Sequence, residues 1–291
     1  MKNLCALVSV ALLAACTTQS ETDKTLSLLG HVMAFQPGPD GKPKTAIDRS
    51  GTANTATITT KMVDGKPSTV SISVAGTLQG GTAVPGASGL KVDQAKSGDA
   101  SLVTTEGKDG DPFLAALTVG KYHAVGFYAT QQGTTQFIGV GVTGDKTTAM
   151  PTVGAATYNG DVNAIFARSA SGVQSVGGKV QMNAAFTPAG GTIGGKSSGL
   201  ADNETDQAAG VELVFQNASI SGNSYSGGAV SLVSQANGLP VGTVTSSNYQ
   251  GEFYGPGAVE TGGTFQLGAS NVPLSGGTEN LQAIGAFGAA N

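Results

Sequence analysis

From Leu26 onward, apolar and polar residues alternate with a period of two, and clusters of glycine, asparagine and serine cut that alternation into short runs. A period of two sends successive side chains to opposite faces of an extended backbone, so such runs bury one face only as strands of a sheet. Val70, Ile72 and Val74 alternate with Thr69, Ser71 and Ser73. "YHAVGFYAT" and "TQFIGVGV" flank "QQGT" and read as a hairpin, Tyr122 to Thr130 with Thr135 to Val142. No stretch beyond the N-terminus carries a helical period of convincing length, so the chain is expected to be all-β.

The alternation is densest after Thr157, where eight candidate strands follow one another: "TYNGDVNAIFA", "KVQMNAAF", "GTIGGKSS", "VELVFQ", "SYSGGAVSLVS", "NYQGEFYG", "GTFQLG" and "LQAIGAFG". Within the second, Val180, Met182, Ala184 and Phe186 share one face. Eight antiparallel strands with glycine-rich corners suit a closed up-and-down barrel, which leaves no free edge. A barrel of that size is filled by its own side chains or holds at most one small ligand. Pro151 and its small neighbours interrupt the pattern, which places a β-rich N-terminal domain at 26–150 and an eight-stranded antiparallel barrel at 151–291.

The first residues set the expected compartment. Met1-Lys2-Asn3 precedes an apolar run, Leu4 to Ala15, that is too short to span a bilayer as a helix and has the form of a secretory signal. Leu13-Ala14-Ala15-Cys16 matches the lipobox of bacterial lipoproteins, which implies cleavage after residue 15, diacylation of Cys16 and a polar tether over 16–25. Thr17 after the cysteine implies sorting to the outer membrane. Cleavage also removes Cys5, so no disulfide is expected although the compartment would permit one. The partner there is a membrane, reached through lipid. Only 12% of the residues are charged, and removal of Lys2 leaves 14 basic against 19 acidic residues. That balance offers no cationic surface for nucleic acid.

One stretch near the C-terminus concentrates glycine and aromatic residues: Gly251, Phe253, Tyr254, Gly255, Pro256, Ala258, Glu260, Gly262, Gly263 and Phe265, followed by Gly285-Ala286-Phe287-Gly288-Ala289. Gly255-Pro256 forces a turn, Gly262-Gly263 permits positive φ or a close approach of two backbones, and the phenylalanines can bury their rings. The stretch reads as two strands joined at a corner. Glu260 is its one central charge, expected to cap backbone amides at that corner, since a buried carboxylate must be hydrogen-bonded. The same residues resemble the C-terminal barrel signature of transferrin-binding protein B and related surface lipoproteins. "ATYNGDVNAIF", "GGKVQMNAAF" and "ISGNSYSGGAV" extend the resemblance upstream, with Tyr225 where the family pattern has another aromatic. The resemblance covers about Ala155 to Asn291 and implies a handle-like domain ahead of the barrel. Full-length members carry two such lobes, and this chain has room for one.

Two enzyme motifs match by pattern alone. Gly190 to Ser197 satisfies the phosphate-loop spacing, but the residues that follow have no helical period to face phosphates. Gly195 to Gly199 satisfies the hydrolase elbow G-x-S-x-G, but the only histidines, His31 and His123, lie upstream. No metal-ligand histidine pair or catalytic carboxylate pair emerges, so an enzyme is not expected. The acidic turns "GKDGDP" and "ADNETD" lack the ligand spacing of a calcium loop. His123 shares a strand face with Val125 and Phe127. It reads either as a buried histidine with one hydrogen-bonded nitrogen or as a haem ligand assisted by Tyr122 or Tyr128.

The expected function is non-catalytic: a cell-surface outer-membrane lipoprotein whose loops bind an iron-carrier protein, haem or another solute, with the barrel as support. The resemblance adds an outer-membrane receptor as partner. The other reading is a structural or adhesive surface protein with no small-molecule ligand.

Overall fold

The computed structural model describes residues 22–40, 43–50, 54–63, 66–81, 83–84, 87–91, 93–97, 100–106, 112–274 and 277–291. Cys16 and the "GKDGDP" turn lie largely or wholly outside them. The described residues form nineteen strands and a single 3-10 turn.

The first ten strands make one sheet. They are β1 (Thr22–Pro37), β2 (Pro43–Arg49), β3 (Asn54–Val63), β4 (Lys66–Ala75), β5 (Ala87–Lys91), β6 (Asp93–Ser97), β7 (Ala100–Glu106), β8 (Pro112–Val119), β9 (His123–Gln132) and β10 (Thr135–Gly144). Their order is β5-β4-β3-β1-β10-β9-β8-β7-β6, and the distal half of β1 also pairs with β2. Strand β1 begins at Thr22, ahead of the start expected at Leu26. Thr22 to Thr25 already pair with β3 through backbone groups, which every residue supplies whatever its side chain. The expected hairpin is β9–β10, closed by Gly133 with φ 59°.

The remaining strands close on themselves: β11 (Gly154–Arg168), β12 (Gly172–Thr187), β13 (Gly190–Asp202), β14 (Val211–Ser221), β15 (Ser224–Gly228), β16 (Val230–Ser234), β17 (Thr243–Tyr254), β18 (Glu260–Leu274) and β19 (Gly277–Ala290). All neighbours are antiparallel, and β13 pairs with β14 to complete the ring. Strands β15 and β16 are the single strand "SYSGGAVSLVS" with a break at Ala229, so the barrel has the eight strands the alternation predicts. The Tyr249 ring crosses Gly228 so closely that a Cβ there would lie 2.0 Å from a ring carbon.

Aromatic rings fill the barrel. Phe215 meets Tyr249, Phe265 and Phe287 at centroid distances of 5.3 to 5.5 Å, and Phe253 meets Tyr158, Phe186 and Tyr225 at 5.4 to 5.9 Å. Their hydroxyls are satisfied inside. Tyr158 donates to Ala258 O at 2.7 Å and Tyr249 to Ile193 O at 2.6 Å, so the polar tips bind backbone rather than a guest. Of the two interiors open to a small barrel, this one is solid.

Outside the barrel, the faces of β11, β18 and β19 that point away from its core receive the sheet. Met33, Phe35 and Val140 pack there on Ala167, Ile284 and Ala286.

Candidate functional site

The glycine- and aromatic-rich stretch becomes the end of β17, a turn, and the start of β18. Tyr254 pairs with Glu260 across that turn, while Phe253 and Phe265 point inward and are wholly buried. The turn needs two glycines: Gly255 has φ 72° and Gly257 φ 65°, values an L side chain resists. Gly262 and Gly263 have no positive φ and serve close approach. A Cβ at Gly262 would come within 2.5 Å of Val142, and one at Gly263 within 2.6 Å of the Phe287 ring.

Glu260 caps amides, but not those of its own corner. Its carboxylate reaches the loop between β8 and β9, accepting Lys121 N at 3.1 Å, Tyr122 N at 2.8 Å and His123 N at 3.0 Å. The corner amides were the expected partners because sequence shows only neighbours along the chain. The actual partners come from the other sheet. The same carboxylate lies 2.6 Å from His123 Nδ1, and since an ionised carboxylate only accepts, Nδ1 carries the proton. Both side chains are nearly closed to solvent, at 10% and 7% exposure.

The rest of the joint is built around this contact. The His123 ring stacks on Tyr254 at 6.1 Å, and its Nε2 lies over Gly288, where a Cβ would be only 2.1 Å away. Tyr122 covers Gly255, where a Cβ would be 2.5 Å from its ring. The chain leaving β10 is then sewn to the barrel by backbone groups. Gly255 N donates to Asp145 O at 2.9 Å, and Thr147 N donates to Phe253 O at 2.9 Å. Lys146 Nζ reaches Glu252 at 2.6 Å, and Arg49 of β2 donates to Ser246 Oγ of β17.

Of the three residues read as ligand candidates, the structure brings Tyr122 and His123 together and leaves Tyr128 apart. Tyr128 lies on the other face of β9, buried, with its ring over Gly139 of the neighbouring strand. Burial alone raises its phenol pKa. The Gly190–Ser197 motif is part of β13, and Ser197 Oγ donates to Glu212 at 2.6 Å while accepting Leu213 N at 2.8 Å. In place of the loop and helix that phosphate binding requires, it is a strand with its hydroxyl spent on the ladder.

Sequence reasoning passed over Arg49, Ser246, Lys146 and Glu252. Each partner lies more than a hundred residues away, and no local pattern marks such a pair. Gly288 had a signal, a glycine inside an apolar strand, which marks close approach of another group.

A closed, filled barrel joined to an open sheet defines an all-β handle-and-barrel lobe. Residues 150–291 match the family model of the C-lobe and N-lobe beta barrels of Tf-binding protein B. Solved structures similar to the chain include a transferrin-binding protein B double mutant from Haemophilus parasuis Hp5. It is 14% identical, with 93% of this chain and 76% of that one covered and a TM-score of 0.44. The isotype 1 transferrin-binding protein B from serogroup B Neisseria meningitidis is 12% identical, with 93% and 77% covered and a TM-score of 0.38. A protein described as a surface lipoprotein is 14% identical, with 90% and 98% covered and a TM-score of 0.41. No curated protein matches the chain by sequence.

Proposed function

We propose that this chain is a non-catalytic, lipid-anchored lipoprotein of the outer-membrane surface that captures an iron carrier. In this reading residues 1–15 are a signal peptide, Cys16 carries the lipid, and a short tether leads into the handle. Residues 22–150 present the binding loops and residues 151–291 form the supporting barrel. The observation that carries it is the family match of the barrel combined with its filled interior. A barrel with no room inside leaves binding to its loops and to the sheet it holds, where a rigid β scaffold ordinarily displays recognition residues. The carrier is a protein rather than free haem on this geometry, because His123 Nε2, the atom that would have to reach haem iron, lies against Gly288 in a joint nearly closed to solvent. An outer-membrane receptor completes the arrangement by removing iron from the captured carrier.

The test immobilises the chain through Cys16 and passes iron-loaded transferrin, iron-free transferrin and hemin over it in turn. Saturable binding that favours the iron-loaded carrier is expected. Absence of saturable binding to all three sinks the reading and favours a structural coat protein.

A further inference from the structure

Strand β18 crosses beneath β9, β10 and β2 as it runs along the barrel. Glu260 meets His123 of β9, Gly262 lies against Val142 of β10, and Gly268 lies against Arg49 of β2. Thr264 and Gln266 occupy the two intervening rungs on the same side. The strand between β10 and β2 in the sheet is β1, which packs on β18 and carries His31 opposite Val140.

This part of the interface is polar, and its hydrogen bonding is incomplete. His31, Arg49, Thr264 and Gln266 are all at least nine-tenths buried, yet His31 Nε2, Arg49 Nη1, Thr264 Oγ1 and Gln266 Oε1 have no protein partner. Ser50 Oγ accepts Val32 N at 2.9 Å and keeps its own proton to donate to His31 Nδ1 at 3.3 Å. With Nδ1 as that acceptor, the ring proton sits on the unpartnered Nε2, the tautomer that an anion beside Nε2 selects.

Arg49 adds a full positive charge. Its Nη2 donates to Ser246, and no carboxylate among the described residues lies within ion-pair distance of it. The adjacent Asp48 spends its oxygens on Arg49 N at 2.8 Å and Gly80 N at 2.9 Å. Guanidinium stays protonated in proteins, and a buried charge needs a counter-charge. Unpartnered nitrogens of His31 and Arg49, one of them cationic, and an unpartnered Thr264 hydroxyl therefore face a seam in which, among the described residues, the charge of Asp48 acts on Arg49 only from beyond ion-pair distance. Gln266 presents its amide to the same seam, with the end that faces inward set by whatever it meets.

We propose that this seam between handle and barrel binds a small monovalent anion of halide size, held by Arg49 Nη1 and His31 Nε2 and bordered by Thr264 and Gln266. The ion places a counter-charge in contact with the Arg49 guanidinium, which Asp48 does not reach, and ties β1 and β2 to β18, at the opposite end of the joint from the Glu260 contact.

Crystals of the chain beginning at Cys16, grown in sodium bromide without chloride, provide the direct test. The expected anomalous map has a bromide peak within hydrogen-bond reach of Arg49 Nη1 and His31 Nε2. A map with bromide on the surface but only water in the seam overturns the proposal. In solution, the melting temperature should rise and saturate as sodium chloride replaces sodium gluconate at constant ionic strength, as a ligand bound only to the native state requires. The Arg49→Gln chain should show no such rise, and an equal rise in both counts against the site. Should Arg49→Gln fail to fold, the bromide map and the parent titration decide without it.

Discussion

His123 of the handle and Glu260 of the barrel lie 137 positions apart in the chain and meet at 2.6 Å, Nδ1 to Oε2. The same carboxylate holds three consecutive backbone amides, so one side chain fixes both the position of the β8–β9 loop and the direction of the imidazole.

Replacing Glu260 with alanine leaves three amides and an imidazole N–H buried without an acceptor. The expected loss is about 3 kcal/mol of stability. Denaturant unfolding followed separately by a handle probe and a barrel probe should then show two transitions where the parent shows one. Lys146→Met at the same joint breaks an ion pair whose lysine is 57% exposed, and the expected loss is below about 1 kcal/mol. A loss for Lys146→Met as large as that for Glu260→Ala would contradict the assignment of the joint to the carboxylate.

Gly160 and the terminal strand touch through backbone. A Cβ on Gly160 would lie 1.9 Å from Gly288 O, an atom that cannot turn aside as a side chain can. Gly160→Ala is expected to cost about 3 kcal/mol by forcing β11 from β19. Gly210→Ala is an instructive control: no atom lies within 4 Å of its Cβ, so its cost comes from a φ of 82° alone. Thermal unfolding of the two variants should rank Gly160→Ala as the less stable.

Inside the barrel, the Tyr249 hydroxyl lies 2.6 Å from both Ile193 O and Gln216 O. Tyr249→Phe keeps the ring packing and removes the donor from two carbonyls. An expected loss of about 2 kcal/mol in urea unfolding follows from leaving buried acceptors unpaired. An unchanged midpoint would show that water reaches these carbonyls.

Stability should depend on pH through His31. Burial first, and the Arg49 charge second, lower its pKa from 6.5 to about 4. The unfolded chain therefore binds a proton that the folded chain refuses between pH 6.5 and pH 4. Folding is favoured fully above pH 6.5 and loses roughly 3 kcal/mol as pH falls through that window, with no further loss from this group below it. Chemical denaturation in halide-free buffer, from pH 7 to pH 4, should show that slope in the parent and a shallower one in His31→Gln.

Alternation with a period of two dictated an all-β chain and, after Thr157, eight strands. The side-chain period is a local property that survives in a linear string. The corner at Gly255-Pro256 was legible for the same reason, since turn chemistry resides in adjacent residues. Phe253 and Phe265 were legible as core because they alternate with polar neighbours. What the string withheld was every choice made across space. The partners of Glu260, the stacking of His123 on Tyr254, and the gathering of His31, Arg49, Thr264 and Gln266 depend on which outer faces of two sheets meet. A strand's alternation distinguishes its two faces without saying what covers the outer one. That was decided only when β18 came to lie across the handle, where glycines at 262, 268 and 288 gave the room and Glu260 supplied the anchor.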